Sequence, residues 1–212
     1  MTVEALRSTG KPTGSSTERT RRALIAAGIS LFSQKGYDAT STRQIEAEAQ
    51  VQRNLMTYHF GSKEQFWKAC MTELNERMAN QMEPVLAQSR DIATGERIRF
   101  MIRRFVRASA AVPEVGRIMF DEGRHASWRL EWLVENYAEG FFGAVGALFD
   151  EGRAAGIVAD IPKLNFYYMV VGSASIFSMS AECTLLTGKD AFDPAMIDVH
   201  ADAVATLIAP RL

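Results

Sequence analysis

Between positions 52 and 63 the chain gathers side chains that hydrogen-bond to nucleic acid. Gln52, Arg53, Asn54 and Thr57 carry amide, guanidinium and hydroxyl groups within two helical turns. An arginine forks onto guanine O6 and N7, and a glutamine or asparagine amide pairs with adenine. Tyr58, His59 and Lys63 suit phosphate oxygens, which fix register rather than read sequence. Thr40 and Arg43 stand near the start of the preceding predicted helix, where free backbone N–H groups favour anions. The set is thus divided between base-edge readers (52, 53, 54, 57) and phosphate anchors (40, 43, 58, 59, 63).

Such side chains need a scaffold that presents them together. Leu24, Ala27, Leu31 and Phe32 fall on one helical face, and Lys35-Gly36 makes a natural stop. Ser41 or Thr40 caps a second predicted helix with Ile45 and Ala49 facing inward. Gln50-Val51 makes the turn, and Gln52 or Arg53 opens a short third helix that ends at Phe60 before Gly61. Ser62 caps a fourth helix, with Glu64 and Gln65 in its first turn, running to about Pro84 or Gln88. Two short helices about a tight turn are the unit that lays its second helix in a major groove. Ile45, Ala49, Val51 and Phe60 are the expected inward set.

Charge is divided unevenly. Residues 1–63 hold nine Lys/Arg against five acids, a net of +4, and with −1 overall the remainder carries −5. A basic first third suits a polyanion, and an acidic remainder another task. Cys70 and Cys183 lie far apart and lack metal-ligand spacing, so neither a metal site nor a disulfide is expected. No apolar leader is visible, and the greasiest stretch, Phe166–Ala181, holds four serines and reads as one buried helix rather than a membrane span. The expectation is a soluble, cytoplasmic protein without cofactor.

Beyond residue 63, breaks are expected near Thr94-Gly95, Val112-Pro113, Gly156, Ile161-Pro162 and Asp193-Pro194, with helical segments between and no strand alternation. The expected fold is all-α with about nine helices. No phosphate loop, nucleophile elbow or carboxylate pair at helical spacing points to an enzyme. Leu133, Tyr137, Phe141, Val145 and Phe149 step by four, a stripe expected to face one neighbour. Met101, Phe105, Phe120, His125, Trp128, Trp132, Tyr137, Phe141, Tyr168 and Phe177 are candidate walls of a pocket for a small apolar or aromatic effector. Val171, Gly172 and Ser175, with the stripe Ile197, Ala201, Val204 and Ile208, are candidate contacts between two copies.

The stretch GYDATSTRQIEAEAQVQRNLMTYHFGSKE resembles the DNA-binding head of TetR-type transcriptional regulators. The Gly-Tyr after the first helix, the Thr-Ser cap, Ile45 and the Tyr-His-Phe-x-x-Lys ending carry the likeness, which covers about residues 17–66. The chain departs from that pattern at Gln50, where the family often has glycine, at Gln52, commonly serine, and at Met56-Thr57, often Leu-Tyr. Residues 1–16, rich in Ser, Thr and Gly and without periodicity, are expected to be a flexible arm, and the resemblance implies a helix–turn–helix domain over 17–63 and a ligand-binding and dimerisation domain over 64–212. It further implies a homodimeric, ligand-responsive regulator, first of all a repressor, on a palindromic double-stranded DNA operator. Activation, or a protein partner for the body, are the alternative readings, with an all-α enzyme behind them.

Overall fold

The computed structural model describes residues 16–88, with backbone only for 83–88, and 92–210. They are all-helical and contain no strand, as expected. The arm expected over 1–16 lies outside the described residues except for Ser16, which begins the first helix. The head comprises α1 (Ser16–Lys35), α2 (Thr42–Glu48) and α3 (Leu55–Phe60). The long α4 (Lys63–Gln88) leads into α5 (Thr94–Ala111), α6 (Pro113–Glu122) and α7 (Trp128–Leu133). A π-helical turn (Val134–Ala138) joins α7 to α8 (Glu139–Ala154), followed by α9 (Lys163–Ser173), α10 (Ser175–Ser178), α11 (Ser180–Thr187) and α12 (Pro194–Ile208).

Local chemistry sets the head's boundaries. The Ser41 hydroxyl accepts from Gln44 N, and the Gln44 side chain accepts from Ser41 N at 2.8 Å, a reciprocal capping box. At the other end of α2, Val51 N donates to Glu46 O and Gln50 N to Ala47 O. This pair of bonds is the Schellman closure, which needs a left-handed residue after the helix. Gln50 supplies it at φ 54°, in the place where glycine costs least. Asn54 is also left-handed, at φ 68°, so α3 begins at Leu55 rather than at Gln52 or Arg53. The Ser62 hydroxyl accepts from Gln65 N at 3.1 Å and caps α4 as expected.

The head's core does not stop at residue 63. Leu24, Phe32, Ile45 and Met56 share one buried cluster with Phe66, Trp67, Cys70, Met71 and Leu74 of α4. The same cluster continues into Val112, Ile118 and Leu133 of the body. Crossing of α1 and α4 is close: an ideal Cβ at Gly28 would lie 2.5 Å from the Phe66 ring and 2.8 Å from Cys70 Sγ. Burial pushes the Cys70 thiol well above its usual range.

The body's own core joins Ile98, Ile102, Phe105 and Val106 of α5 to Phe149, Phe166, Phe177 and Ala201, Val204 and Ala205 of α12. Ion pairs Arg103–Asp202 and Arg107–Asp198 tie α5 to α12 along the rim. Two expectations are corrected here. The segment 166–181 is not one buried helix. It breaks at Ala174 and Met179, and Tyr168 and Met169 are exposed. Nor does the 133–149 stripe face one neighbour. The π turn inserts an extra residue and rotates the face, so Leu133 and Tyr137 join the head's cluster while Phe141, Val145 and Phe149 join the body's.

Gly28→Ala should lower stability by about 1–3 kcal/mol, measured by thermal or denaturant melting, because the Phe66 ring has no room to withdraw. Gln50→Gly should raise it by about 0.5–1 kcal/mol by relieving the left-handed cost, an effect read in the same melts. Equal stability for Gln50→Gly would mean that the turn does not hold this geometry in solution.

Candidate nucleic-acid interface

The candidate recognition element is the six-residue α3 with the turn before it. Its inner face is Met56, 1% exposed, and the half-buried Phe60, which packs edge-on to Phe66 at 4.9 Å. Its outer face carries Thr57 and Tyr58, and Gln52, Arg53 and Asn54 are exposed in the turn. Tyr58 is 80% exposed. Leaving a phenol so bare on a folded head costs apolar burial that an outside partner recovers. His59 is half-buried with its ring 5.1 Å from that of Tyr58. The four base-reading candidates therefore lie together on one accessible surface, with Tyr58 and His59 beside them.

The remaining anchors separate. Arg43 is exposed at the first turn of α2 and is free to meet a phosphate. Thr40 is not: it is 1% exposed, and its hydroxyl donates to Gly36 O at 2.8 Å. It braces the α1–α2 corner, so the phosphate role expected for it is withdrawn. The Lys63 ammonium donates to Tyr37 O at 2.7 Å and lies 4.1 Å over the Tyr37 ring. Two of its three N–H bonds stay available, so it joins the head's own structure while it can still face a phosphate. Burial lowers its pKa below the usual lysine value, opposed by Asp38.

Lys63 and Tyr37 open onto a junction between head and body. Tyr37, Trp67, Trp128, Trp132 and Tyr137 form a chain of edge-on rings with centroids 5.4–6.3 Å apart. Arg129 lies over Tyr37, and its Nε donates to both Glu122 oxygens at 2.7 and 2.8 Å. Its far end reaches Asp38 Oδ2 at 3.4 Å. Burial opposes the Arg129 charge, and the Glu122 hydrogen bond and charge outweigh it, so the guanidinium pKa stands above its ordinary value. Sequence reading did not find this pair or the inward role of Met56. The available signal for Met56 was its place four residues before Phe60, on the same helical face.

The ten pocket candidates do not converge. Phe105, Phe141 and Phe177 belong to the body core, and Trp132 and Tyr137 to the junction. Met101 is half-buried on α5, while Phe120, His125, Trp128 and Tyr168 are exposed. Bulky residues spaced along several helices filled two packed cores instead of walling one chamber. A half-open cavity of about 60 Å³ lies between α4, α6 and the π turn. Met71, Leu74, Asn75, Met78, Ile118, Met119, Leu133 and Tyr137 surround it, so only Tyr137 was on the expected wall.

The expected dimer stripe also moves. Ala201 and Val204 are buried within the single chain, and Ile197, Ile208 and Val171 pack on the same core. A clean apolar stripe is what α12 needs to lie on α5, and it is consumed there. Gly172 and Ser175 are half-buried beside the Ala174 break. Large apolar residues left bare in this part of the chain include Leu164, Tyr168 and Met169 on α9, Leu185 and Leu186 on α11, and Val199 and Leu207 on α12. An open groove of about 450 Å³ runs along Ile161–Met169 on that side.

Among the described residues no group of His, Cys, Asp or Glu is placed to hold a metal, and no helix is long and apolar enough to cross a membrane. Residues 24–70 match the family model of bacterial regulatory proteins, tetR family. The chain is 37% identical over 67 residues to the HTH-type transcriptional dual regulator CecR of Shigella flexneri, covering 32% of this chain and 30% of that protein. It is 24% identical over 171 residues to the HTH-type transcriptional repressor NicS of Pseudomonas putida, covering 79% of each. In fold it matches AibR, solved in complex with isovaleryl coenzyme A and operator DNA, at 18% identity and TM-score 0.70 over 91% of this chain and 100% of that one. Matched head, shared fold and an exposed polar face on α3 lead to one conclusion: residues 24–70 are a helix–turn–helix DNA-binding head of the tetR-family type, on a chain whose fold is that of such transcriptional regulators.

Proposed function

We propose that the protein is a ligand-responsive repressor that binds a palindromic operator as a homodimer, reading bases with Gln52, Arg53, Asn54 and Thr57. The observation that carries this reading is the exposure of all four, with Tyr58, on α3 and the turn before it, and of Arg43 on α2. One six-residue helix makes few base contacts, and two on a palindrome roughly double the readout. The bare apolar residues of α9 and α12 support the homodimer, because a partner's equivalent face would cover them. A repressor among the relatives, NicS, supports the sign of regulation.

The effector reading rests on the cavity beside α4. At about 60 Å³ it is smaller than the roughly 300 Å³ or more of a drug-sized site, so an effector enters only by parting α4 from α6 and the π turn. Its lining is apolar with Asn75 and Tyr137 as the polar groups, which fits a small apolar or aromatic molecule. Methionines 71, 78 and 119 can repack around such a guest.

Selection from random duplexes should enrich a palindrome with half-sites about 34–36 Å apart or a multiple of it. Recovery of no palindrome would overturn the repressor reading. Arg53→Ala should weaken specific binding by about 1–3 kcal/mol and relax choice at one base; equal loss on all sequences would make Arg53 a phosphate contact. Sedimentation should give twice the chain mass of 23.5 kDa, and Tyr168→Arg with Leu207→Arg should give the monomer. A double variant that stays dimeric would place the seam elsewhere.

A further inference from the structure

We propose that Glu46 and Arg21 are positioning residues for base readout, clamping the two ends of α3 and thereby setting the angle at which it meets DNA. The proposal rests on the reading of α3 as the recognition helix. In a helix of six residues most backbone N–H and C=O groups lack a partner within the helix itself. Its own N-cap, Asn54, makes no side-chain cap bond. The missing acceptor comes from α2 instead: Met56 N donates to Glu46 Oε1 at 3.1 Å. Glu46 is 5% exposed, and its backbone carbonyl also receives Val51 N at 3.0 Å. One residue therefore closes the turn with its main chain and seats the next helix with its side chain.

The opposite end is held from α1. Arg21 Nη1 donates to His59 O at 3.3 Å, and the guanidinium carbon stands 4.5 Å over the Phe60 ring. The signs suit the helix dipole, an acid at the N-terminus and a base at the C-terminus. A carboxylate beneath a DNA-reading surface repels phosphates, and its burial keeps it from touching a base. Glu46 thus has no direct use in binding, and its contribution is geometry. Arg21 is a cation on the head's first helix, the type that reaches for phosphate, yet its guanidinium is turned inward onto α3.

The test compares selected and scrambled duplexes for the full-length protein and its variants, at a temperature where circular dichroism shows each folded. Glu46→Ala should lower the ratio of specific to non-specific affinity about tenfold, with non-specific binding unchanged or tighter. Glu46→Gln keeps an acceptor and should restore the ratio. Arg21→Met keeps the aliphatic stem and should lower the ratio while leaving the salt slope of non-specific binding as it was. The clamp is refuted if Glu46→Ala retains the wild-type ratio, or if Glu46→Gln falls as far as Glu46→Ala. It is equally refuted if Arg21→Met reduces the salt slope by about one, the signature of a lost phosphate contact. Should Glu46→Ala not fold, Arg21→Met decides alone. Wild-type protein that selects no sequence would end the recognition-helix reading itself, whereas selection retained by the variants would end only the clamp.

Discussion

A helix of six residues cannot hold itself. Nucleation is unfavourable, and isolated helices shorter than about 12–15 residues are marginal in water. The surface proposed to face DNA is such a helix, α3, so its shape is borrowed from what lies behind it. Met56 and Phe60 plant it on a cluster that runs through α1 and α4 and on to Ile118 and Leu133 in the body. Phe66, Trp67, Cys70 and Met71 of α4 fill the middle of that cluster and make α4 a shared beam rather than a linker. The head is consequently not a bead on a string: its core is completed by the body.

The junction shows how that completion is kept in register. Stacked and edge-on rings tolerate sliding, because dispersion is weakly directional. A buried ion pair does not. Arg129 and Glu122 expose 16% and 6% of their side chains, so desolvation consumes much of their attraction, and the pair is poor evidence for stability. Its geometry is strict, however, with both Glu122 oxygens taken by one nitrogen and the far end of Arg129 on Asp38. The α6–α7 corner is thereby pinned to the loop after α1. Rings supply the adhesion at this interface, and the ion pair chooses the alignment.

The sequence revealed the elements that carry their own local signals. Ser41 with Gln44, Ser62 with Gln65, and Pro194 after Asp193 are side-chain devices within three residues, and each helix start they announce is present. The exposure of the polar residues around Arg53 was legible for a similar reason: polar groups crowded on a turn and a short helix have no core to enter. What escaped notice depends on partners distant in sequence. Thr40 resembles a phosphate anchor until Gly36 O is found beneath it. The α12 stripe resembles an interface until α5 is laid on it. Aromatic content gives no warning of which core each ring joins, and a π turn that rotates a stripe midway is invisible to a count by fours. Of the departures from the family pattern at Gln50, Gln52 and Met56-Thr57, those at Gln50 and Met56 have a physical reading: a left-handed glutamine closes the turn, and a methionine carries the buried face.

These two levels, packing and alignment, bear on the proposed response to an effector. A ligand shifts a conformational equilibrium only by its differential affinity for the two states. In the present packing the cavity between α4 and α6 is too small for a drug-sized molecule, so such an effector distinguishes the states by volume alone. Its walls are not neutral bystanders: Met71 and Leu74 belong to the cluster that seats α3, and Tyr137 is the last ring of the chain that reaches Tyr37. Parting these walls loosens α4 and the ring chain together, while Arg129 resists any movement that does not carry the α6–α7 corner with the head. A guest there cannot be accommodated by one side chain swinging aside. The cost of opening falls on contacts that also fix where α3 points, which is the requirement for binding in the body to be felt at the DNA surface.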